Sequence, residues 1–154
     1  MRKLNPLYLQ AVYEHVNTCP YFSLLSMEIK MLGWGESRIE VTVQEKHLQP
    51  FGFVHGGVFS SIIDATAYWA VYPQIDEGVG MTTVEMKLNY LAPANQGEMI
   101  AKGRAIRVGK TLCLGEAGIE NETGVLLAHG TATMMILKDL KLQGEERLPP
   151  KFLE

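Results

Sequence analysis

The chain has little of what marks the more specialised classes of protein. Two cysteines, Cys19 and Cys113, stand among 154 residues. They are too few and too far apart for a disulfide framework or a thiolate metal site, and are expected as reduced thiols of a cytoplasmic protein. The four histidines (His15, His47, His55 and His129) lack metal-ligand spacing, so neither a metal nor any other cofactor is implied. No apolar run approaches the roughly 20 residues that would span a bilayer. The opening MRKLNPLYLQAVYEHVN is basic at its start, but polar residues interrupt it every few positions, unlike a secretory leader. Neither sign of charge dominates, with 14 Lys+Arg against 17 Asp+Glu and no basic block. That balance argues against nucleic acid or an anionic membrane as the main partner.

What is present is ordinary globular material, 47% apolar and 20% charged, enough for one domain with a real core. Leu4, Leu7, Tyr8, Ala11, Val12 and Val16 recur at helical spacing, predicting an amphipathic helix over about 4–16 with Pro6 in its first turn. SRIEVTV alternates with period two and reads as a strand, with FSLLSMEIKML as its hairpin partner across Gly33-Trp34-Gly35. A second helix is predicted from Gly56 to about Tyr72, stopped by Pro73. Four strands follow. In the first, Val84, Met86, Leu88 and Tyr90 alternate with Thr83, Glu85, Lys87 and Asn89. The others cover about 98–108, 111–120 and 125–137, the last with Leu126, Ala128, Ala132, Met134 and Ile136 on one face. Short turns between long alternating segments predict antiparallel hairpins, hence an α+β fold with the sheet wrapped round the 56–72 helix. That single domain is expected to end near residue 137. The charged 138–154 tail, with Pro149-Pro150, is expected to be loosely ordered.

The segment QPFGFVHGGVFSSIIDATAYWA poses the functional question. Its helix is apolar all round the wheel, so the side away from the sheet needs a cover, and a second copy of the chain is the simplest one. Asp64 sits alone within this apolar stretch. A buried carboxylate must be hydrogen-bonded, paired or sited in a polar cleft. Ser60, Ser61 and Tyr68, one turn away on either side, offer a purely structural way to satisfy it. Against that stands the helix start, where Gly56 and Gly57 are expected to leave amides uncovered at the positive end of the dipole. Such donors suit an anion or a developing oxyanion. An oxyanion site with a carboxylate suggests acyl-group hydrolysis. Asp64 lies eight residues from Gly56, or about 12 Å along the axis, too far for both to act on one carbonyl within one chain. Two antiparallel copies of the helix across a two-fold would bring Gly56 of one chain to Asp64 of the other.

The string H-L-Q-P-F-G-x-V-H-G-G-V, Asp64 downstream, and T-T-V-E-M-K-L-N-Y-L-A-P-A resemble the hotdog-fold acyl-CoA thioesterases of the phenylacetate-degradation type. The resemblance covers roughly residues 20–137. It implies a five- or six-stranded antiparallel sheet curled round the long helix, and a homodimer or homotetramer with active sites between subunits. It also implies a backbone N–H at Gly56 or Gly57 that polarises the thioester carbonyl, and Asp64 of the opposite subunit as general base or nucleophile. Gln49 matches a position that orients substrate or water, and Thr83 one near that water. His55 is expected to fix the loop into the helix. For the phosphates of coenzyme A, Arg104, Arg107, Lys110 and Thr111 around one turn are the candidate binding residues, although turn-flanking charges are often simply solvated. Phe51, Phe53, Tyr68 and Trp69 are candidates for an acyl pocket suited to medium-chain or aryl groups. Two other readings remain open: an enoyl-CoA hydratase or hydroxyacyl dehydratase on the same fold, with His55 and Asp64 sharing the proton, and a non-catalytic acyl-CoA-binding subunit.

Overall fold

The computed structural model describes residues 2–154. Its first helix, α1 (Pro6–Asn17), starts where the Asn5 side chain accepts the Leu7 N–H at 3.1 Å and Pro6 supplies a preset φ. Tyr8, Val12 and Val16, spaced by four, are its buried stripe. A second short helix, α2 (Pro20–Leu25), departs from the expected hairpin. FSLL continues a turn that Pro20 opens and left-handed Ser26 closes, so only β2 (Glu28–Gly33) pairs with β3 (Glu36–Thr42).

The long helix α3 (Gly56–Val71) is followed by a 3-10 turn, Tyr72–Gln74. Then come β4 (Gly80–Tyr90), β5 (Glu98–Val108), β6 (Leu112–Asn121) and β7 (Leu126–Leu137). The six strands form one antiparallel sheet in the order β2-β3-β5-β6-β7-β4, curled round α3. Helix and sheet approach closely. A Cβ on Gly103 would stand 2.4 Å from the Thr66 carbonyl oxygen, so β5 needs a glycine there. The Ser37 hydroxyl donates to the same carbonyl at 2.6 Å and pins the helix to β3. Ile62, Ile63, Ala67, Ala70 and Val71 are buried against Ile39, Ala101, Ala117, Ala132 and Met134 in one core.

Four register shifts interrupt the sheet among the described residues, at Ile29/Met31, Thr83/Glu85, Ala105/Arg107 and Ile119/Glu120, and two of them bear on the expected alternation. Leu127 is an extra residue opposite the Ile119–Glu120 step and is fully buried, whereas Leu126 turns toward solvent. Val84 is the extra residue in β4, between Thr83 and Glu85. It is about half exposed, and the shift lets Thr83 face the helix together with Met86, two residues that strict alternation would put on opposite faces.

The tail is not loose. Phe152–Leu153 (β8) pairs with Lys3–Leu4 (β1), and Lys151 is completely buried. The Lys151 ammonium donates to the Tyr72 carbonyl at 2.8 Å and lies 4.4 Å from the centre of the Tyr72 ring. Asn5 donates to the Pro150 carbonyl at 2.8 Å, and Glu77 accepts the Lys151 N–H at 3.0 Å. Charge in the tail suggested solvation, but one of those charges is a buried anchor. Among the described residues, no helix is long and apolar enough to cross a membrane.

Candidate active site

The start of α3 is set by the loop before it. Gln49 and Phe53 close a tight turn through Gln49 N–H to Phe53 O at 2.7 Å, and Val54 bonds to the Ala94 carbonyl at 2.8 Å. Beneath it lies buried His47. Its Nδ1 accepts the Gln44 N–H at 2.9 Å, which leaves Nε2 to donate to the Leu25 carbonyl at 2.7 Å. The His47 carbonyl in turn accepts the His55 N–H at 2.9 Å. His47 therefore ties α2, the loop and the start of α3 together, a role that its place in the sequence did not disclose.

His55 is the N-cap of α3. Its ring Nδ1 accepts the Gly57 N–H at 2.7 Å, and its carbonyl accepts the Val58 N–H at 2.9 Å. A Cβ on Gly57 would meet that ring nitrogen at 2.9 Å, so glycine makes room for the cap. The expectation that both glycine amides stay uncovered is thus corrected: Gly57's is taken by His55. Gly56's N–H has no acceptor among the described residues. It borders a cavity of about 360 Å³ lined by Gln49, Phe53, Phe59, Tyr90 and Leu91. The Gln49 side-chain oxygen accepts the Phe51 N–H, which fixes its amide beside that cavity.

Asp64 lies at a second cavity, of about 450 Å³. Its Oδ1 accepts the Thr83 hydroxyl at 2.7 Å, and Oδ2 has no partner among the described residues. The serines and tyrosine expected to satisfy it bond elsewhere. Ser60 and Ser61 both donate back to the Gly57 carbonyl, at 3.0 and 2.9 Å, as hydroxyls on a helix commonly do. Tyr68 donates to the Met81 carbonyl at 3.1 Å and accepts the Met81 N–H at 3.2 Å. Burial pushes the Tyr68 pKa up to about 12, against the Met81 hydrogen bond, which lowers it. Asp64 is left with one bonded oxygen and one open one, facing an apolar chamber. Thr83 reaches it only because Val84 bulges.

Of the aromatic residues proposed for a pocket, Tyr68 and Trp69 line the Asp64 cavity, Phe53 lines the Gly56 cavity, and Phe51 is exposed at neither. Tyr21, Phe22, Met27 and Tyr72 join the Asp64 cavity, as do Leu140, Lys141, Leu142 and Gln143 of the tail. Tyr72 follows directly on α3, but no local sequence signal points to the others, which arrive from α2, the stretch after it and the tail. The four residues proposed for phosphates divide. Arg107 and Lys110 share a cavity with Arg2, Lys138 and Asp76. Arg104 donates to Glu116 at 2.9 Å on the sheet's outer face, and Thr111 lines no part of that cavity. Glu116, also 3.3 Å from His129 Nε2, is held below the usual carboxylate range, first by the Arg104 hydrogen bond.

Three comparisons bear on this geometry. A family model described as the thioesterase superfamily matches residues 51–128, from the turn before α3 into β7. The chain is 30% identical over 117 residues to a 1,4-dihydroxy-2-naphthoyl-CoA hydrolase of Listeria monocytogenes serotype 1/2a, covering 76% of this chain and 95% of that one. It is also 30% identical over 101 residues to acyl-coenzyme A thioesterase 13 of Homo sapiens, covering 64% and 71%. A solved thioesterase from Haemophilus influenzae superposes with a TM-score of 0.81 over 92% of this chain and 98% of that one. At 22% identity, that likeness speaks for the fold alone. A six-stranded antiparallel sheet round one long helix, with a family match across the helix and the strands that follow it, places the chain in the thioesterase superfamily as a hotdog-fold thioester hydrolase.

Proposed function

We propose that the protein hydrolyses the thioester of a medium-chain or aryl acyl-CoA, at a site completed by a second copy of the chain. The observation that carries this reading is the separation of two half-sites on one rigid helix. The open Gly56 N–H and the open oxygen of Asp64 stand eight residues apart, about 12 Å along the axis, in different cavities. The sheet supports a way to unite them. Of its two edge strands, β2 is packed by α1, with Asn17 bonding Ile29 N–H and carbonyl at 2.7 and 3.1 Å. β4 has a strand on one side only, with Val84, Tyr90 and Leu91 exposed along or just beyond it. Pairing β4 with its own copy about a two-fold runs the two α3 helices antiparallel, and the Gly56 end of each then faces the other's Asp64.

In that site the Gly56 N–H, at the positive end of α3, stabilises the oxyanion that forms as the thioester carbonyl is attacked. Asp64 takes a proton from water, which adds to the carbonyl, and returns it to the departing CoA thiolate. Alternatively, its carboxylate attacks to give a mixed anhydride that water then opens. Thr83 orients the carboxylate and Gln49 the substrate or water. His55 is bound up in capping, which weakens the reading of His55 and Asp64 as a dehydratase pair. Arg107 and Lys110, with Arg2 and Lys138 beside them, are the cations best placed for CoA phosphates. Arg104, paired with Glu116, is not. The aromatic Asp64 cavity suits the acyl group. The protein is read as a cytoplasmic homodimer or homotetramer.

The test is thiol release from benzoyl-, phenylacetyl-, hexanoyl-, octanoyl- and palmitoyl-CoA by wild type beside Asp64→Asn. The reading expects turnover by wild type, greatest on the aryl or medium-chain members, and its collapse in the variant. Tight binding with no turnover on any member would favour the non-catalytic alternative.

A further inference from the structure

The chamber beside Asp64 is lined in part by a stretch of the chain outside the region that matches the family model. Along α3 it runs from Ser61 and Asp64 past Ala65, Tyr68 and Trp69 to Tyr72, about 12 Å from Asp64 to Tyr72 at the helical rise. Its far end is met by Leu140, Lys141, Leu142 and Gln143. These residues pack directly on the sheet. A Cβ on Gly80 would stand 2.9 Å from both the Leu140 Cγ and the Leu140 carbonyl oxygen, so the first residue of β4 must be glycine for the tail to lie there. Leu142 packs half-buried against the core. Beyond it the tail is fastened repeatedly: Glu145 accepts the Gly78 N–H at 3.2 Å, and Lys151 is held by Tyr72, Glu77 and Asn5.

The fastening acts on the chamber itself. Tyr72 lines it, and the same residue offers Lys151 both its carbonyl and its ring. Trp69 meets Tyr72 edge-on at 4.9 Å, and Tyr68 stacks on it at 6.2 Å. Tail anchor and chamber wall are therefore one stack of side chains. The tyrosine hydroxyls along the wall are engaged, Tyr68 with Met81 and Tyr72 with Tyr8 at 3.2 Å. The tyrosines of the chamber thus present ring faces, with no free phenol for a hydroxylated acyl group, and among the described residues the only polar side chains at the far end are Lys141 and Gln143.

We propose that the 140–143 segment is the end wall of the acyl chamber and sets the length of acyl group accepted, and that Lys151 positions that wall through Tyr72. This rests on the reading that the Asp64 chamber receives the acyl group. A wall of this kind discriminates by fit. One methylene too many is excluded by about 10-fold or more, as in other apolar pockets. Shortening Leu142 opens the end, and a bulky residue at Leu140 closes it.

The experiment measures kcat/KM for hexanoyl-, octanoyl-, decanoyl-, dodecanoyl- and phenylacetyl-CoA in the full-length protein and in three variants. Leu142→Ala is expected to raise the ratio of the longest to the shortest alkyl substrate about 10-fold. Leu140→Trp, at a site that is 42% exposed, is expected to lower it, with its thermal stability measured alongside. Lys151→Ala is expected to raise it, because a freed Tyr72 no longer fixes the wall; a lysine that only stabilised the fold would lower all five values together. Ratios equal to wild type in Leu142→Ala and Leu140→Trp overturn the inference while leaving the thioesterase reading in place. A wild-type protein that releases no thiol from any of the five overturns both.

Discussion

At the Gly56 end of α3 the groups that shape the half-site come mostly from the adjoining loop: the His55 cap, the Gly57 amide it binds, the Gln49–Phe53 turn and His47 beneath. At the Asp64 end they come from everywhere else. Thr83 belongs to an edge strand, Tyr21 to α2, and Leu140–Gln143 to the far end of the chain. The first half-site is a piece of backbone held in one conformation, set chiefly by its own loop and steadied by Leu25 and Ala94. The second is a side chain in a chamber assembled by the whole fold. The difference separates two kinds of failure: backbone changes at Gly56 should damage chemistry alone, whereas changes around Asp64 can damage chemistry, substrate choice or stability separately.

The largest expected effect is at Asp64 itself. Asp64→Asn keeps the shape and a partner for Thr83 but removes the base or nucleophile, and should lower kcat by about 10³-fold, within the range for a lost proton-transfer group. A variant that kept full activity would remove Asp64 from the chemistry. Gly56→Pro probes the other half. Proline is tolerated at the first position of a helix and removes the N–H, and His55 already has the extended backbone that a residue before proline prefers. Its Cβ would meet the Tyr90 ring at 3.3 Å, so Gly56→Ala, which adds that carbon and keeps the N–H, is the control. Loss of that donor should cost about 10²-fold in kcat, with little change in thermal stability. A fall in stability with unchanged kcat would mean that the amide has no oxyanion to hold. Thr83→Val is smaller: losing one hydrogen bond to the carboxylate should cost about 10-fold in kcat/KM, the lower end for a bond to a charged group. Equal rates would show that the bulge at Val84 aims Thr83 to no purpose.

The smallest effect concerns the tail and shows in stability. Burial, assisted by nearby Arg2, lowers the pKa of Lys151 from 10.5 to about 8. Between those values the unfolded chain holds a proton that the native protein has released, so stability rises with pH. Burial raises Tyr8 and Tyr72 above their ordinary 10.0, which reverses the slope once the unfolded tyrosines begin to ionise. Urea midpoints should therefore climb from about pH 7.5 to about pH 9.5 in wild type and climb less in Lys151→Met. Identical slopes in the two proteins would contradict the buried-ammonium account.

Much of this was legible in the residues. Period-two alternation and one all-apolar helix led to the sheet and its central helix, and the lone acid and paired glycines drew attention to the two ends of the proposed site. What was hidden was non-local. Pro20 turned an apparent strand into α2, since apolar residues such as Phe22, Leu24 and Leu25 do not distinguish the two at that length. A bulge cannot be read from alternation that continues on either side of it, so the means by which Thr83 and Met86 share one face stayed hidden. The tail looked solvated because a lysine's burial depends on a carbonyl and a ring, both Tyr72's, supplied from 79 residues away. Gly56 and Gly57 looked equivalent until the His55 ring was seen to choose one.

The shared site is tested most directly by mixing two defective chains. Asp64→Asn and Gly56→Pro are co-expressed, and the mixed dimers are compared with each variant alone for thiol release. In a mixed dimer, a site shared across the two-fold leaves one centre with both defects and one with neither, so random pairing should restore about a quarter of wild-type turnover. Activity no higher than that of the two variants alone, in dimers shown to contain both chains, would mean that each chain carries its own complete site.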